Sequence, residues 1–320
     1  MSPRETGERR VKDVGEAGLL ELFRPFCHNS VGDDAALLGS TLPHHSVVIT
    51  TDMLVEGVHF SPQTTSAEDV GWRAAAANLS DLAAMGAKPW GLVVAVGLHP
   101  ETPVGWIEGV YRGFRECLIA YNTVLVGGDT VRCDRNVISV TALGQVLYHQ
   151  AIYRHTAQPG DRVLITGDHG LSKAGLEILL HPELGEPLTP TERQLLCHAH
   201  QRPRPRLDVI PLLWQYSDRV CGMDSSDGLA DAIYQICRLS QVGCVIDWEN
   251  FPVPKLLTKV AGENALDWVL YGGEDFELVL CLPEAAAINI NQQLPGSSII
   301  GTITDQGINL PQGRAFQHFT

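Results

Sequence analysis

Positive charge is scarce in this sequence. Its 320 residues hold 23 basic against 37 acidic side chains, a net charge of −14, with only five lysines. That balance argues against non-specific binding to nucleic acid or to an anionic membrane. Long apolar runs are missing as well. None approaches the ~20 residues that span a bilayer, and the longest candidate, residues 90–98, is strand-sized. The opening MSPRETGERRVKD is charged and lacks an apolar h-region, so it does not read as a secretory signal. There is no CxxC and no short Cys/His cluster. The eight cysteines are scattered, most in apolar stretches such as LVLCL around Cys281, and read as reduced core thiols of a cytoplasmic protein. Several nucleotide and hydrolase signatures are also absent. No GxxxxGK[ST] loop exists, the nearest string (Gly170 to Gly175) has the wrong spacing, and no GxGxxG or GxSxG occurs.

Apolar residues make up 44% of the chain and charged residues 19%, an ordinary globular composition, and the length suits two domains. Strand and helix patterns alternate without a repeat. Strands are expected at 46–51, 92–98, 124–126, 137–147, 162–166, 219–222, 243–248, 277–281 and 297–303. Helices are expected from Ser66, a capping-box residue with Asp69, to about 85, then after Thr102-Pro103, and over 171–181, 190–201, 205–216, 228–240, 263–270 and 283–293. The second helix presents Val104, Ile107, Tyr111, Phe114 and Leu118 at three- and four-residue spacing. The turn cluster Ala157-Gln158-Pro159-Gly160-Asp161 divides an N-terminal domain (13–156) from a C-terminal one (157–320), after a flexible tail at 1–12. The class is α/β (α+β).

What stands out is acid in small-residue turns at strand ends: Gly32-Asp33-Asp34, Thr50-Thr51-Asp52, Asn78-Leu79-Ser80-Asp81, Gly127-Gly128-Asp129 and Asp224-Ser225-Ser226-Asp227-Gly228. Any one of these is explained by turn or cap chemistry. Five together, with no lysine in any of them, are harder to dismiss, because a carboxylate near a core is costly unless paired or bound to a cation. Hard oxygen donors without basic partners suit several Mg²⁺ ions. A chain this acidic that handles phosphates would bridge them through such metals.

In order, GDDAALL, VVITTDMLVEGVHF, NLSDLAAMGAKP, VLVGGDT, GMDSSDGLADA and YGGEDFELVL resemble the thiamine-monophosphate kinase family. That family belongs to the aminoimidazole-ribonucleotide synthetase-like superfamily, and the likeness covers about residues 13 to 319. It implies a two-domain fold whose N-terminal sheet completes a barrel across a homodimer. It implies metal ligation by Asp34, Thr50, Thr51, Asp52, Asp81, Asp129, Asp224 and Asp227, with Asp81, Asp129 and Asp224 essential to catalysis. ATP would be met by Tyr111, Gly128, Asp129, Arg154 and Ser226, and thiamine phosphate by His59, Glu274 and Phe316. Thr50 and Phe316 depart mildly from the residues usual at those positions. Without the resemblance, His59 reads equally as a packed histidine, Tyr111 as a core aromatic, Glu274 as a solvated turn and Arg154 as a surface cation.

The implied reaction is ATP-dependent phosphorylation of thiamine monophosphate to the diphosphate by direct in-line transfer. Two rivals remain. One is another ATP-using member of the superfamily, of the selenophosphate or aminoimidazole-ribonucleotide synthetase type, but Cys27 lacks the Gly/Lys-rich setting of a reactive cysteine, and no cysteine ends the chain. The other is a non-catalytic acidic metal-binding module, for which no EF-hand loop is present.

Overall fold

The computed structural model describes residues 33, 35–39 and 43–311. Asp34, Phe316, Cys27 and the expected tail at 1–12 lie outside them.

The first sheet contains β1 (Ala36–Gly39), β2 (His45–Val55), β3 (Lys88–Leu98), β4 (Leu125–Arg132) and β5 (Val137–Leu147), in the order β1-β2-β5-β3-β4. All pairings are antiparallel except β3 with β4. In β5 every second residue, from Ile138 to Val146, is buried, because that face meets helix α1 (Ala67–Ala84). Ser66 caps α1 by accepting a hydrogen bond from the Asp69 backbone N–H at 3.2 Å. The alanine-rich helix lies close to α2 (Val104–Ala120), and glycine makes this possible: a Cβ on Gly71 would stand 1.9 Å from the Val110 carbonyl oxygen, and one on Gly113 1.8 Å from that of Glu68. α2 begins one residue later than expected. Pro103 takes the cap position, and the Thr102 hydroxyl donates to Asn136 instead. Its buried face is Val110, Phe114, Cys117 and Leu118, while Val104 is exposed and Tyr111 half-exposed. The spacing found the helix but rotated its face.

The second sheet is wholly antiparallel. It holds β6 (Arg162–Ile165), β7 (Cys221–Asp224), β8 (Gly243–Ile246), β9 (Leu278–Leu282) and β10 (Ser298–Thr304), in the order β7-β9-β6-β10-β8. Around it pack α3 (Leu171–Leu180), α4 (Pro190–Gln201), α5 (Ile210–Tyr216), α6 (Leu229–Ser240), α7 (Lys255–Ala261), α8 (Ala265–Tyr271) and α9 (Glu284–Gln293). β9 is buried along its whole length, as LVLCL promised. Two expectations needed correction. The helix over 205–216 shrinks to α5, because Pro211 has no N–H to donate and is tolerated only in a helix's first turn. α7 was not foreseen, its seven residues being too few for a clear period.

Candidate functional site

A cavity of about 1030 Å³ lies between α1 and β2 of the first sheet and the loops and helices of the second. It gathers Thr51, Asp52, His59, Asp81, Ser226, Asp227 and Glu274, seven of the residues singled out in the sequence. The acids do not all sit in turns as expected. Asp52 is within β2 and Asp129 within β4, Asp81 belongs to α1, and only Asp224 ends a strand.

Each acid is held by small polar neighbours. The Thr50 hydroxyl donates to Asp81 Oδ2 at 2.5 Å. The fully buried Asn78 accepts from the Asp52 backbone N–H at 3.2 Å and donates to the Ala74 carbonyl. Ser80, also fully buried, crosses between the two halves and donates to Asp224 Oδ2 at 2.6 Å, while the Ser226 hydroxyl donates to Oδ1 at 2.9 Å. Burial, then the charges of Asp224 and Asp227, push the Asp52 carboxyl up to about 6. The fold thus concentrates carboxylates that repel one another.

That donor chemistry fits a hard divalent cation, whose charge would relieve the repulsion. Among the described residues, however, no three His, Cys, Asp or Glu side chains converge as closely as one ion requires.

Basic side chains do reach the cavity, from outside the motifs. Arg73 and Lys173 line it, beside His200, Trp268 and Tyr271. None of these was foreseen. One signal was available for Arg73: with Ala77 and Asp81 it is spaced i, i+4, i+8 on one helix face. Arg73 donates to Glu274 Oε1 at 2.6 Å. Burial raises the Glu274 carboxyl, but the charge and hydrogen bond of Arg73 outweigh it and hold it below the usual range. Burial and the Arg73 charge push His200 down to about 3, so its ring is neutral. Asp275 caps α3, accepting from Gly170 and Ser172 N–H groups at 2.6 and 2.8 Å.

Four expected residues lie elsewhere. Tyr111 is on α2, tilted against Phe114 with ring centres 6.1 Å apart. Gly128 and Asp129 stand in the exposed edge strand β4. Arg154 donates from its backbone to Asp33 at 2.7 Å and from its guanidinium to Gln235 at 2.8 Å. Register runs Asp129, Ala95, Ser139, Met53 across the sheet, so Asp129 points away from α1, on the same face as Thr51. Three strand spacings, about 14 Å, separate them. That outward face carries Met53, Val93 and Val131, all exposed.

Residues 32–146 match the AIR synthase related protein, N-terminal domain, and residues 158–310 the C-terminal domain of the same description. Thiamine-monophosphate kinase of Synechococcus elongatus is 46% identical, over 98% of this chain and 99% of that protein. The Bacillus subtilis protein of the same name is 38% identical, over 80% and 79%. A solved structure of AaThiL complexed with AMPPCP and TMP superimposes with a TM-score of 0.88 at 29% identity, covering 98% of this chain and all of the other.

Proposed function

The chain belongs to the AIR synthase related family and, within it, to the thiamine-monophosphate kinases, and we propose that it transfers the γ-phosphoryl group of ATP to thiamine monophosphate, yielding thiamine diphosphate and ADP. The observation that carries this reading is that one cavity is lined both by acids expected at the phosphates, Asp52, Asp81 and Asp227, and by the expected acceptor residues His59 and Glu274. A relative of the same fold holding an ATP analogue together with TMP supports both substrates.

The acceptor is a phosphate monoester, mostly dianionic at neutral pH because its second pKa is about 6. No side-chain base is needed to make its oxygen nucleophilic, and none is assigned. Transfer is therefore direct and in line, without a phospho-enzyme. Asp34, Thr50, Thr51, Asp52, Asp81, Asp129, Asp224 and Asp227 would hold Mg²⁺, which when bound supplies the positive charge that lets two polyanions approach. Of these, Asp81, Asp129 and Asp224 are assigned the largest share in catalysis. Ser80, Ser226 and Asn78 fix the acids' positions and keep them from turning away. Tyr111, Gly128, Asp129, Arg154 and Ser226 are assigned to the nucleotide.

Phe316 is assigned to the thiamine rings. Tyr271, in the cavity wall, donates its hydroxyl to the Pro311 carbonyl, and Tyr234 donates to that of Leu310 at 3.2 Å. A homodimer is proposed from the outward face of the first sheet, which is exposed among the described residues. A second copy there would cover Met53, Val93 and Val131 and let Thr51 meet an Asp129 that is out of reach within one chain. A domain division at 157 is proposed, and the gap between the two family matches, residues 32–146 and 158–310, supports it. No helix among the described residues is long and apolar enough to cross a membrane, and a cytoplasmic site of action is proposed.

The test is product formation. Purified protein with ATP, Mg²⁺ and thiamine monophosphate should give thiamine diphosphate and ADP in equal amounts. ATP turnover with no thiamine diphosphate would refute the acceptor and favour another enzyme of the superfamily.

A further inference from the structure

We propose that Arg73 is a positioning residue for acceptor recognition: from α1 it fixes the carboxylate of Glu274 and so sets the affinity for thiamine monophosphate. This rests on the kinase reading above, in which Glu274 meets the acceptor, and adds to it a residue outside every motif.

The loop at 272–277 is tied down by three acids, each with a different partner. Glu274 accepts from Arg73, Asp275 from the first backbone N–H groups of α3, and Glu277 from Arg206 and Thr166 at 2.5 Å each. Glu274 itself has φ 66 and Phe276 φ 54, both in the left-handed region that disfavours side chains. Arg73 is 3% exposed. One terminal nitrogen donates to Glu274 Oε1, the other to the His200 carbonyl, and Nε is buried with no acceptor among the described residues. A buried cation with an unanswered N–H and a strained neighbour are local costs that apolar packing would avoid. Costs concentrated at one contact mark a site kept for function.

The contact also leaves the carboxylate usable. Arg73 binds Oε1, whereas Oε2 stands 3.7 Å from His200 Nδ1, and Glu274 remains 34% exposed to the cavity. A fixed anion there suits the cationic thiazolium or the amino group of the acceptor's rings. The groups facing Glu274 are Arg73 from α1, His200 from α4 and His59 from the turn after β2, with Asp275 and Glu277 on its own loop and Lys173 of α3 beyond His200. His200 is neutral, so Arg73 is the permanent charge that keeps Glu274 ionised.

Calorimetric titration with thiamine monophosphate tests this. Arg73→Met should weaken binding by about tenfold or more, while the KM for ATP stays nearly unchanged. Relative to wild type at each pH, the loss should shrink as the pH is raised, as Glu274 regains its charge. Arg73→Lys, which keeps the charge, should recover much of the affinity. In a Glu274→Gln background, Arg73→Met should cost nothing further. That double variant contains no uncompensated buried ion, so with Arg73→Lys it carries the test if Arg73→Met does not fold. Additive losses, or a pH-independent loss shared equally by ATP, would overturn the proposal. A wild-type protein that binds no thiamine monophosphate would overturn the kinase reading and this proposal with it. Wild-type binding beside an unchanged Arg73→Met would overturn this proposal alone.

Discussion

Replacing Asp52 by Asn should make the metal-free protein more stable, although it removes an expected metal ligand. The Asp52 carboxyl is raised from an ordinary 3.8 to about 6, first by burial and then by Asp224 and Asp227. At about 1.4 kcal/mol per pH unit, that difference is at most about 3 kcal/mol of destabilisation when the group is ionised. The sign follows from which state holds the proton. Below pH 3.8 the carboxyl is protonated folded and unfolded, and Asn gains nothing; between 3.8 and about 6 the penalty grows; above about 6 it is complete. The backbone N–H that donates to Asn78 is untouched by the change. With an unfolding entropy of about 2 cal/mol/K per residue, 320 residues melting together give a rise of at most about 5 °C. Thermal melts in chelator at about pH 8 and about pH 4 would measure it, since only the first lies above the raised pKa. Added Mg²⁺ should stabilise the wild type more than the variant, because a cation relieves the same repulsion. A variant no more stable than wild type at the higher pH, or equally stabilised at both, would refute the reasoning.

Other consequences follow from the remaining assignments. Tyr111→Ala should raise the KM for ATP about five- to tenfold, the worth of one aromatic contact, with Tyr111→Phe tolerated; steady-state kinetics on both substrates decide, and equal effects would mean the ring only packs against Phe114. Phe316→Ala should weaken thiamine monophosphate binding about thirtyfold, from about 2 kcal/mol of cation–π contact, and leave ATP binding unchanged; calorimetry with each ligand alone checks this. Val131→Glu puts a charge on the bare sheet face and should shift the protein to monomers in analytical ultracentrifugation, with loss of activity. A variant that stays dimeric would place the interface elsewhere.

Most of the element order was legible in the sequence. Local periodicity reports it directly: the alternation of 137–147 and the apolar run around Cys281 became β5 and β9 with little change of boundary. The cap at Ser66 was equally local: Ser66 accepts from the Asp69 backbone N–H as expected, although the Asp69 carboxylate takes the Ser66 hydroxyl and does not complete the box. Errors arose where a local signal was ambiguous. Thr102 has cap chemistry one residue early, and α2's apolar residues wrap far enough that spacing alone misplaced the buried face. Acid motifs could be spotted one at a time, but their secondary structure could not, because Gly-Gly-Asp is as common in turns as it is rare in a strand like β4.

The sequence by itself determined the class of the fold, the acidic character of the site and, through its motifs, the family. Tertiary structure alone decided which side chains answer those acids. Arg73 and Glu274 are 201 residues apart, and Ser80 and Asp224 are 144 apart. No periodicity couples positions so distant; only the packing of α1 against the second half of the chain brings them within hydrogen-bond reach. For the same reason the motifs looked free of cations although the cavity is not. Pleating settled the last point. Asp52 and Thr51 are neighbours in sequence and both line the cavity, yet adjacent strand residues face opposite ways, so Asp52 turns toward α1 and Thr51 toward the open face it shares with Asp129.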